Sequence, residues 1–233
     1  DREWTALPQF NFAYEHKGLL EIFQTPEGAE HAKHVVEKAR ELGLTDTALL
    51  DYDALQAMEP QTRINAQGAV FFRCDAHLYP NKLMQQLIAD LKQKGVRIQT
   101  NEEVIRFENA NGNITQLITT NGAYHADTVV IAGGSWSREL AAKMNVSIPL
   151  VPGRGYSVTL EDSPYRLNYP AILVEGRVAM TPMDGNKLRM GGTMEITSTQ
   201  TPPRLKRVQG ILDAVKNFYP EFNVPIPAAD KIW

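Results

Sequence analysis

The chain has 233 residues, of which 43% are hydrophobic and 22% charged, and its formal net charge is −3 at pH 7. That composition is typical of a globular protein of one or two domains with a substantial core. The small negative charge gives no electrostatic argument for nucleic acid or an anionic membrane as a partner. Cys74 is the only cysteine, which excludes an internal disulfide and favours a reducing compartment. No apolar stretch reaches the ~18 residues of a membrane helix, and we expect both ends of the chain to be fragment boundaries.

Strand and helix patterns alternate over the first 93 residues. The predicted strands are short apolar runs at 18–23 and 68–72. The predicted helices begin at Thr25-Pro26, Asp51 and Pro80, which are residues that cap or start helices. The third helix is predicted to end at Gly95, and its apolar stripe consists of Leu83, Leu87, Ile88 and Leu91.

Two histidines, His31 and His34, lie three residues apart on the first of these helices and can share one helix face. A metal site needs at least one further ligand, and no cysteine or third histidine is close in sequence. We therefore interpret both as solvated surface residues and predict no metal site.

The stretch from 94 to 125 is predicted to be mostly β-structure. Its predicted strands cover 96–99, 104–108, 114–119 and 123–125. Asn111-Gly112 is a pair that favours a tight hairpin turn, and Asn121-Gly122 predicts a second one.

The next stretch, 127–140, combines an apolar run, a glycine pair and a helix pattern. The run at 128–132 lacks polar alternation, which predicts a strand covered on both faces, as in a parallel sheet. Gly133 and Gly134 allow a sharp bend and a close approach by another group. A ligand at such a turn meets backbone N–H groups at a helix N-terminus. An ordinary strand-to-helix turn explains the same residues equally well.

The last third of the chain is rich in β-patterns. Its predicted strands cover 148–160, which should be bent, and 171–174, 178–181 and 188–193. Asp184-Gly185-Asn186 predicts a hairpin turn, and 202–218 has the apolar spacing of a helix. No linker interrupts the chain, which favours a single composite unit.

Six segments in this order resemble the FAD-dependent amine and amino acid oxidoreductases of the D-amino acid oxidase superfamily. The resemblance is greatest to glycine oxidases and to the small subunit of D-amino acid dehydrogenases. The segments are LDYDALQAMEP at 50–60, GAVFFRCDAHLYP at 68–80, KGVRIQTNEEVIRFE at 94–108, DTVVIAGGSWSREL at 127–140, IPLVPGRGYSV at 148–158 and LRMGGTMEI at 188–196.

The resemblance implies a fold of the α+β or α/β class in two parts. One is part of a FAD-binding parallel sheet. The other is a substrate domain with a large mixed or antiparallel sheet and flanking helices. Residues 94–147 are expected in the FAD-binding part, and 18–93 with 148–220 in the substrate-binding part.

The chain departs from the family pattern at three points. It has no Gly-x-Gly-x-x-Gly turn, the usual grip on the cofactor pyrophosphate. The family has a Trp-x-Gly-Leu-Arg-Pro stretch whose arginine pairs with the substrate carboxylate, and this sequence contains only a match to its first residue, Trp233. Ala179 stands where glycine oxidases often carry a tyrosine, which puts glycine itself in doubt as the substrate.

The resemblance also implies roles for individual residues. Val104, Ala132, Gly133, Gly134 and Trp136 match positions that contact FAD, although a plain strand valine, turn glycines and a core tryptophan explain the same residues. Arg154 and Arg177 match the sheet that faces the flavin or the substrate, where either can attract a carboxylate. No catalytic side chain is predicted, because the cofactor carries the chemistry.

The implied activity is oxidation of the amine of a D-amino acid or an N-substituted glycine, with hydride transfer to the flavin. The implied partners are the amino acid substrate and an electron acceptor, either oxygen or a quinone, in a homo- or hetero-oligomer. The implied location is the cytoplasm, with peripheral attachment to the inner membrane face as an alternative. Two other functions stay open, a non-catalytic binding module and a flavin-dependent 2-hydroxy acid dehydrogenase.

Overall fold

A computed structural model describes residues 2–7 and 9–228 of the chain. It contains two compact units. The first comprises Asp1–Asp90, Gly155–Met194 and Pro203–Trp233, and the second comprises Leu91–Arg154 and Glu195–Pro202. None of the helices in the described ranges is both long and apolar enough to span a bilayer.

In chain order the elements are α1 (Arg2–Thr5), β1 (Leu19–Phe23), α2 (Pro26–Glu41), β2 (Ala48–Asp51), α3 (Tyr52–Met58), β3 (Gly68–Phe72), α4 (Pro80–Gln93), β4 (Val104–Ala110), β5 (Asn113–Thr119), β6 (Ala123–Tyr124), a 3₁₀ turn (Gly134–Trp136), α5 (Ser137–Ala142), β7 (Gly153–Leu160), β8 (Ala171–Leu173), β9 (Val178–Met183), β10 (Lys187–Ile196) and α6 (Leu205–Phe218). Most of them lie where the sequence predicts them. The strand predicted over 148–160 begins only at Gly153, and β2 had no counterpart among the predicted strands.

The first unit is built on a seven-stranded sheet in the order β2-β3-β1-β8-β9-β10-β7. β1 and β8 are parallel, whereas the pairs β1–β3, β2–β3, β8–β9 and β9–β10 are antiparallel. This large mixed sheet with flanking helices confirms the predicted fold class.

Both faces of this sheet are partly covered by helices. Apolar residues of α6, Val208, Ile211 and Val215, belong to one buried cluster with alternate residues of the central strands, such as Leu20 and Met180. On the opposite face, Ala32 and Val36 of α2 form a smaller cluster with Phe23 and Val70. Alternation along each strand explains why one strand supplies both clusters.

The second unit contains an antiparallel sheet in the order β4-β5-β6. Its first hairpin closes with Asn111 and Gly112, whose φ angles are +52° and +79°. Those angles are the ones that a type I′ turn requires, so the predicted hairpin is confirmed.

Two strands predicted for this unit are not formed, at 96–99 and at 128–132. Several of their apolar side chains are exposed, Val96 at 46%, Ile98 at 37% and Val130 at 80%, whereas Val129 and Ile131 are half-buried. A strand needs a neighbour to pair its N–H and C=O groups. Within the described residues β4, β5 and β6 pair only with one another, so neither segment has a partner strand.

The apolar stripe predicted on α4 is also not buried. No residue of this helix is buried, and Ile88 and Leu91 of the stripe are each 40% exposed. The spacing of the apolar residues therefore predicts the helix correctly, but it does not identify what covers the apolar face.

Candidate cofactor site

The glycine pair predicted to meet the cofactor forms a tight turn in the second unit. Gly134 has a φ of +53°, a conformation that residues with a Cβ rarely adopt. A Cβ at Gly133 would lie 3.0 Å from Leu140 Cδ1 of α5, so this glycine permits close packing within its own unit. Glycine is thus favoured at the two positions for different reasons, the backbone conformation at Gly134 and close packing at Gly133.

The surface in front of this turn is open. A Cβ built at Gly134 would have no heavy atom within 4 Å, and Ala132 is exposed. Trp136 is 57% exposed, so the alternative interpretation of this residue as a core tryptophan is wrong. An exposed aromatic ring beside an unobstructed backbone leaves room for a flat ligand to approach.

A pocket of about 550 Å³ lies next to the turn. Ser135 and Arg138 line it on the side of α5, and Pro152 and Thr197 line it from two other segments of the same unit. Its volume is within the range of small-molecule and cofactor sites.

Val104, the second predicted contact, begins β4 and is connected to the region of the glycine turn. The Lys143 ammonium, just after α5, donates a hydrogen bond to the Val104 carbonyl oxygen at 2.5 Å. The structure therefore links Val104 to the helix that follows Gly133 and Gly134.

Val104 also lines a separate pocket of about 320 Å³ with a polar wall. Glu102 organises this wall, because its Oε1 accepts hydrogen bonds from the Tyr124 hydroxyl at 2.6 Å and the Thr119 hydroxyl at 2.7 Å. Both hydrogen bonds lower the pKa of the Glu102 carboxyl, and the one from Tyr124 has the larger effect. Arg97 and Gln99 lie on the same pocket.

Sequence reasoning did not single out Glu102. Its two partners lie 17 and 22 residues further along the chain, across two hairpin turns. Strand pairing between β4, β5 and β6 brings them together, and no local sequence pattern predicts that cluster.

Arg154 is the predicted substrate-binding residue with the clearest structural signal. Its Nη1 atom is buried and has no hydrogen-bond partner among the described residues. Leaving a buried charged donor unpaired destabilises a protein by about 1–3 kcal/mol or more. An acceptor at this position, such as a carboxylate or a carbonyl oxygen, would remove that penalty.

Arg177 and Ala179 belong to the first unit. Arg177 is exposed in the turn between β8 and β9, with a left-handed φ of +51°. Ala179 follows on β9, is exposed, and pairs with Gly191 of β10. The structure therefore places the predicted site residues in two groups, with Val104, Ala132, Gly133, Gly134, Trp136 and Arg154 in the second unit and Arg177 in the first.

The chain was compared with known families and proteins. The family model described as FAD dependent oxidoreductase matches residues 2–233. A D-amino acid dehydrogenase of Neisseria gonorrhoeae is 28% identical over 228 residues, which cover 94% of this chain and 53% of the relative. The hydrogen cyanide synthase subunit HcnC of Pseudomonas protegens is 26% identical, with coverage of 94% and 52%.

Among solved structures, glycine oxidase from Geobacillus kaustophilus superposes with a TM-score of 0.83. Its sequence is 23% identical, and the match covers 94% of this chain and 59% of that one. The likeness shows a shared fold. The chain spans about half the length of the curated relatives it matches.

Proposed function

The chain belongs to the FAD-dependent oxidoreductase family, and we propose that the protein oxidises the amine of a D-amino acid or an N-substituted glycine. The family match over nearly the whole chain carries this proposal. The named relatives support an amine substrate, since one of them is a D-amino acid dehydrogenase and a structural neighbour is a glycine oxidase.

The residues of the second unit fit FAD in three respects. The backbone at Gly134 is open to a flat ring, Trp136 offers an exposed aromatic face, and Val104 lines a polar pocket. We assign the flavin contacts to Val104 and to the stretch from Ala132 to Trp136. We also assign 94–147 to the FAD-binding part, and 18–93 with 148–220 to the substrate-binding part.

The chemistry that FAD supplies when bound is acceptance of a hydride from the substrate α-carbon, after which the imine product hydrolyses in water. The side chains of this chain bind and orient. Arg154 is assigned to an anionic oxygen of the substrate or the cofactor, because its buried Nη1 lacks an acceptor. Arg177, exposed at the turn before β9, is assigned a weaker role in attracting the substrate carboxylate.

The proposal includes a small-molecule substrate and an electron acceptor, oxygen or a quinone. It also includes a cytoplasmic location, with attachment at the inner membrane face as the alternative. The choice of acceptor depends on access to the flavin ring.

A substrate screen of the full-length, flavin-loaded protein tests the proposed function. D-amino acids, their L-enantiomers, N-methylglycine and matching 2-hydroxy acids would be assayed with an artificial dye as acceptor and, separately, with oxygen. We expect turnover with D- or N-substituted amino acids and anaerobic bleaching of the flavin absorbance by the same compounds. Turnover restricted to 2-hydroxy acids, or a colourless protein, would refute the amine assignment.

A further inference from the structure

The sheet of the first unit has an open face with an unusual composition beside β9 and β10. Met180, Leu188 and Met190 point into the core. Because side chains alternate along a strand, Thr181 and Arg189, which are directly paired across β9 and β10, point to the opposite face. The neighbouring pair on that face consists of two small residues, Ala179 and Gly191.

A pocket of about 410 Å³ lies on this face. Ser157 and Thr159 of β7 and Glu161, just after its end, form one wall, and Arg189 of β10 forms another. Tyr79 completes the lining together with Met183, Pro80 and Asn81. Hydroxyl groups and one guanidinium therefore face a cavity large enough for a small organic molecule.

The charged groups around this pocket differ in whether they have an ion-pair partner. The Glu161 carboxylate is paired with the Lys187 ammonium at 2.6 Å. The Arg189 Nη2 donates one long hydrogen bond to the Ser157 hydroxyl oxygen, at 3.3 Å. In the part of the chain that the structure describes, no carboxylate oxygen lies within 4.0 Å of Arg189. The guanidinium thus keeps most of its five N–H donors available to a ligand.

We propose that this pocket binds a carboxylate group through Arg189, with the Ser157 and Thr159 hydroxyls as additional donors. An arginine fork and a carboxylate form two parallel charge-assisted hydrogen bonds, a geometry that a neutral ligand does not reproduce. The identification of the ligand as an amino acid substrate rests on the proposed function, whereas the proposal that the pocket binds a carboxylate is independent of it. The carboxylate comes either from the α-position of the substrate or from an acidic side chain.

Carboxylate titrations of the 233-residue chain, followed by NMR, test this site without flavin or turnover. The backbone amides of Ser157 and Thr159 report binding in the wild type and in the variants alike. The ligands are propanoate and D-alanine, which carry one carboxylate, and glutarate and D-glutamate, which carry two. The variants are Arg189→Gln, Arg189→Lys and, as a matched control on β4, Arg106→Gln. Far-UV circular dichroism verifies that each variant is folded.

We expect Arg189→Gln to weaken binding about tenfold or more, Arg189→Lys to weaken it less, and Arg106→Gln to leave it unchanged. Equal binding of all four ligands shows that one carboxylate is sufficient, as the α-carboxylate of a substrate provides, and binding of the two dicarboxylates alone shows that the carboxylate of an acidic side chain is required. Wild-type chain that shows no saturable shift, or folded Arg189→Gln with unchanged affinity, overturns the proposal. Because no redox step is involved, a negative dye assay leaves this result intact, and a negative titration leaves the flavin assignment intact.

Discussion

Glu59 gives a sharp prediction about how the stability of the protein depends on pH. This residue follows α3, is only 2% exposed, and accepts three backbone hydrogen bonds. The Asn168 N–H donates to both carboxyl oxygens at 2.9 and 2.8 Å, and the Tyr169 N–H donates to one of them at 2.9 Å. These bonds anchor the segment that leads into β8.

Burial raises the pKa of the Glu59 carboxyl from its ordinary value of 4.5 to about 7, against the opposing effect of the Asn168 and Tyr169 hydrogen bonds. Between these two pH values the folded protein keeps a proton that the unfolded chain has lost. The stability from this group is therefore complete below the unfolded pKa and is lost as the pH rises through about 7. From pH 5 to pH 8 the loss amounts to about 2 to 3 kcal/mol, at 1.36 kcal/mol for each pKa unit.

The substitution Glu59→Gln removes the titration and keeps the size of the side chain. The free energy of unfolding would be measured by urea denaturation at pH 5 and pH 8 for the wild type and the variant. We expect the variant to gain about 2 to 3 kcal/mol relative to the wild type as the pH rises. Glu103→Gln serves as a control for removing an exposed carboxylate. A difference between wild type and Glu59→Gln that stays the same at both pH values would refute the reasoning.

Three further predictions concern the cofactor site. Gly134→Ala is expected to lower the free energy of unfolding by about 1 kcal/mol, because its φ of +53° strains any residue with a Cβ, and urea denaturation measures this change. Arg154→Met is expected to raise KM about tenfold or more in the flavin-loaded protein if Nη1 meets the substrate, or to weaken FAD binding by a similar factor if it meets the cofactor, whereas Arg106→Met changes neither; an unchanged KM together with an unchanged FAD affinity would contradict the assignment. FAD titrated into this chain is expected to bind weakly, since the sequence lacks a Gly-x-Gly-x-x-Gly turn, and sub-micromolar affinity in a fluorescence titration would contradict that.

Elements that depend on local chemistry could be predicted from the sequence. The Thr25 hydroxyl caps α2 by accepting a hydrogen bond from the Gly28 N–H at 3.0 Å, and the Asp51 carboxylate caps α3 through the Ala54 N–H at 2.9 Å. Asn111 and Gly112 close a hairpin for the same kind of reason. In each case the deciding atoms lie within a few residues of one another, so one short segment contains all the information that is needed.

Features that depend on distant partners could not be predicted. The unpaired Nη1 of Arg154 and the cluster around Glu102 follow from which segments are neighbours in the fold. Arg189 is a further example, because its environment is set by β7, more than twenty residues earlier in the sequence. The family resemblance supplied the positions of Val104 and of the glycine turn, and their contacts with FAD stay predictions.

The two predicted strands that do not form lie next to predicted cofactor contacts. Residues 96–99 lead towards Val104, and 128–132 end at Ala132, and no apolar side chain of either segment is fully buried. Burying a valine or isoleucine side chain stabilises a protein by about 1.5–3 kcal/mol, so each segment would be stabilised by a neighbouring strand. In sheets with parallel strands, ligands bind at the carboxyl ends of the strands, which is where Val104 and Ala132 would then lie.

We therefore expect flavin binding and strand formation to be coupled. Hydrogen exchange of the full-length protein, with and without FAD, is expected to show slower exchange at 96–99 and 128–132 when FAD is bound. Protection confined to other segments, with these amides exchanging equally fast in both states, would contradict the coupling.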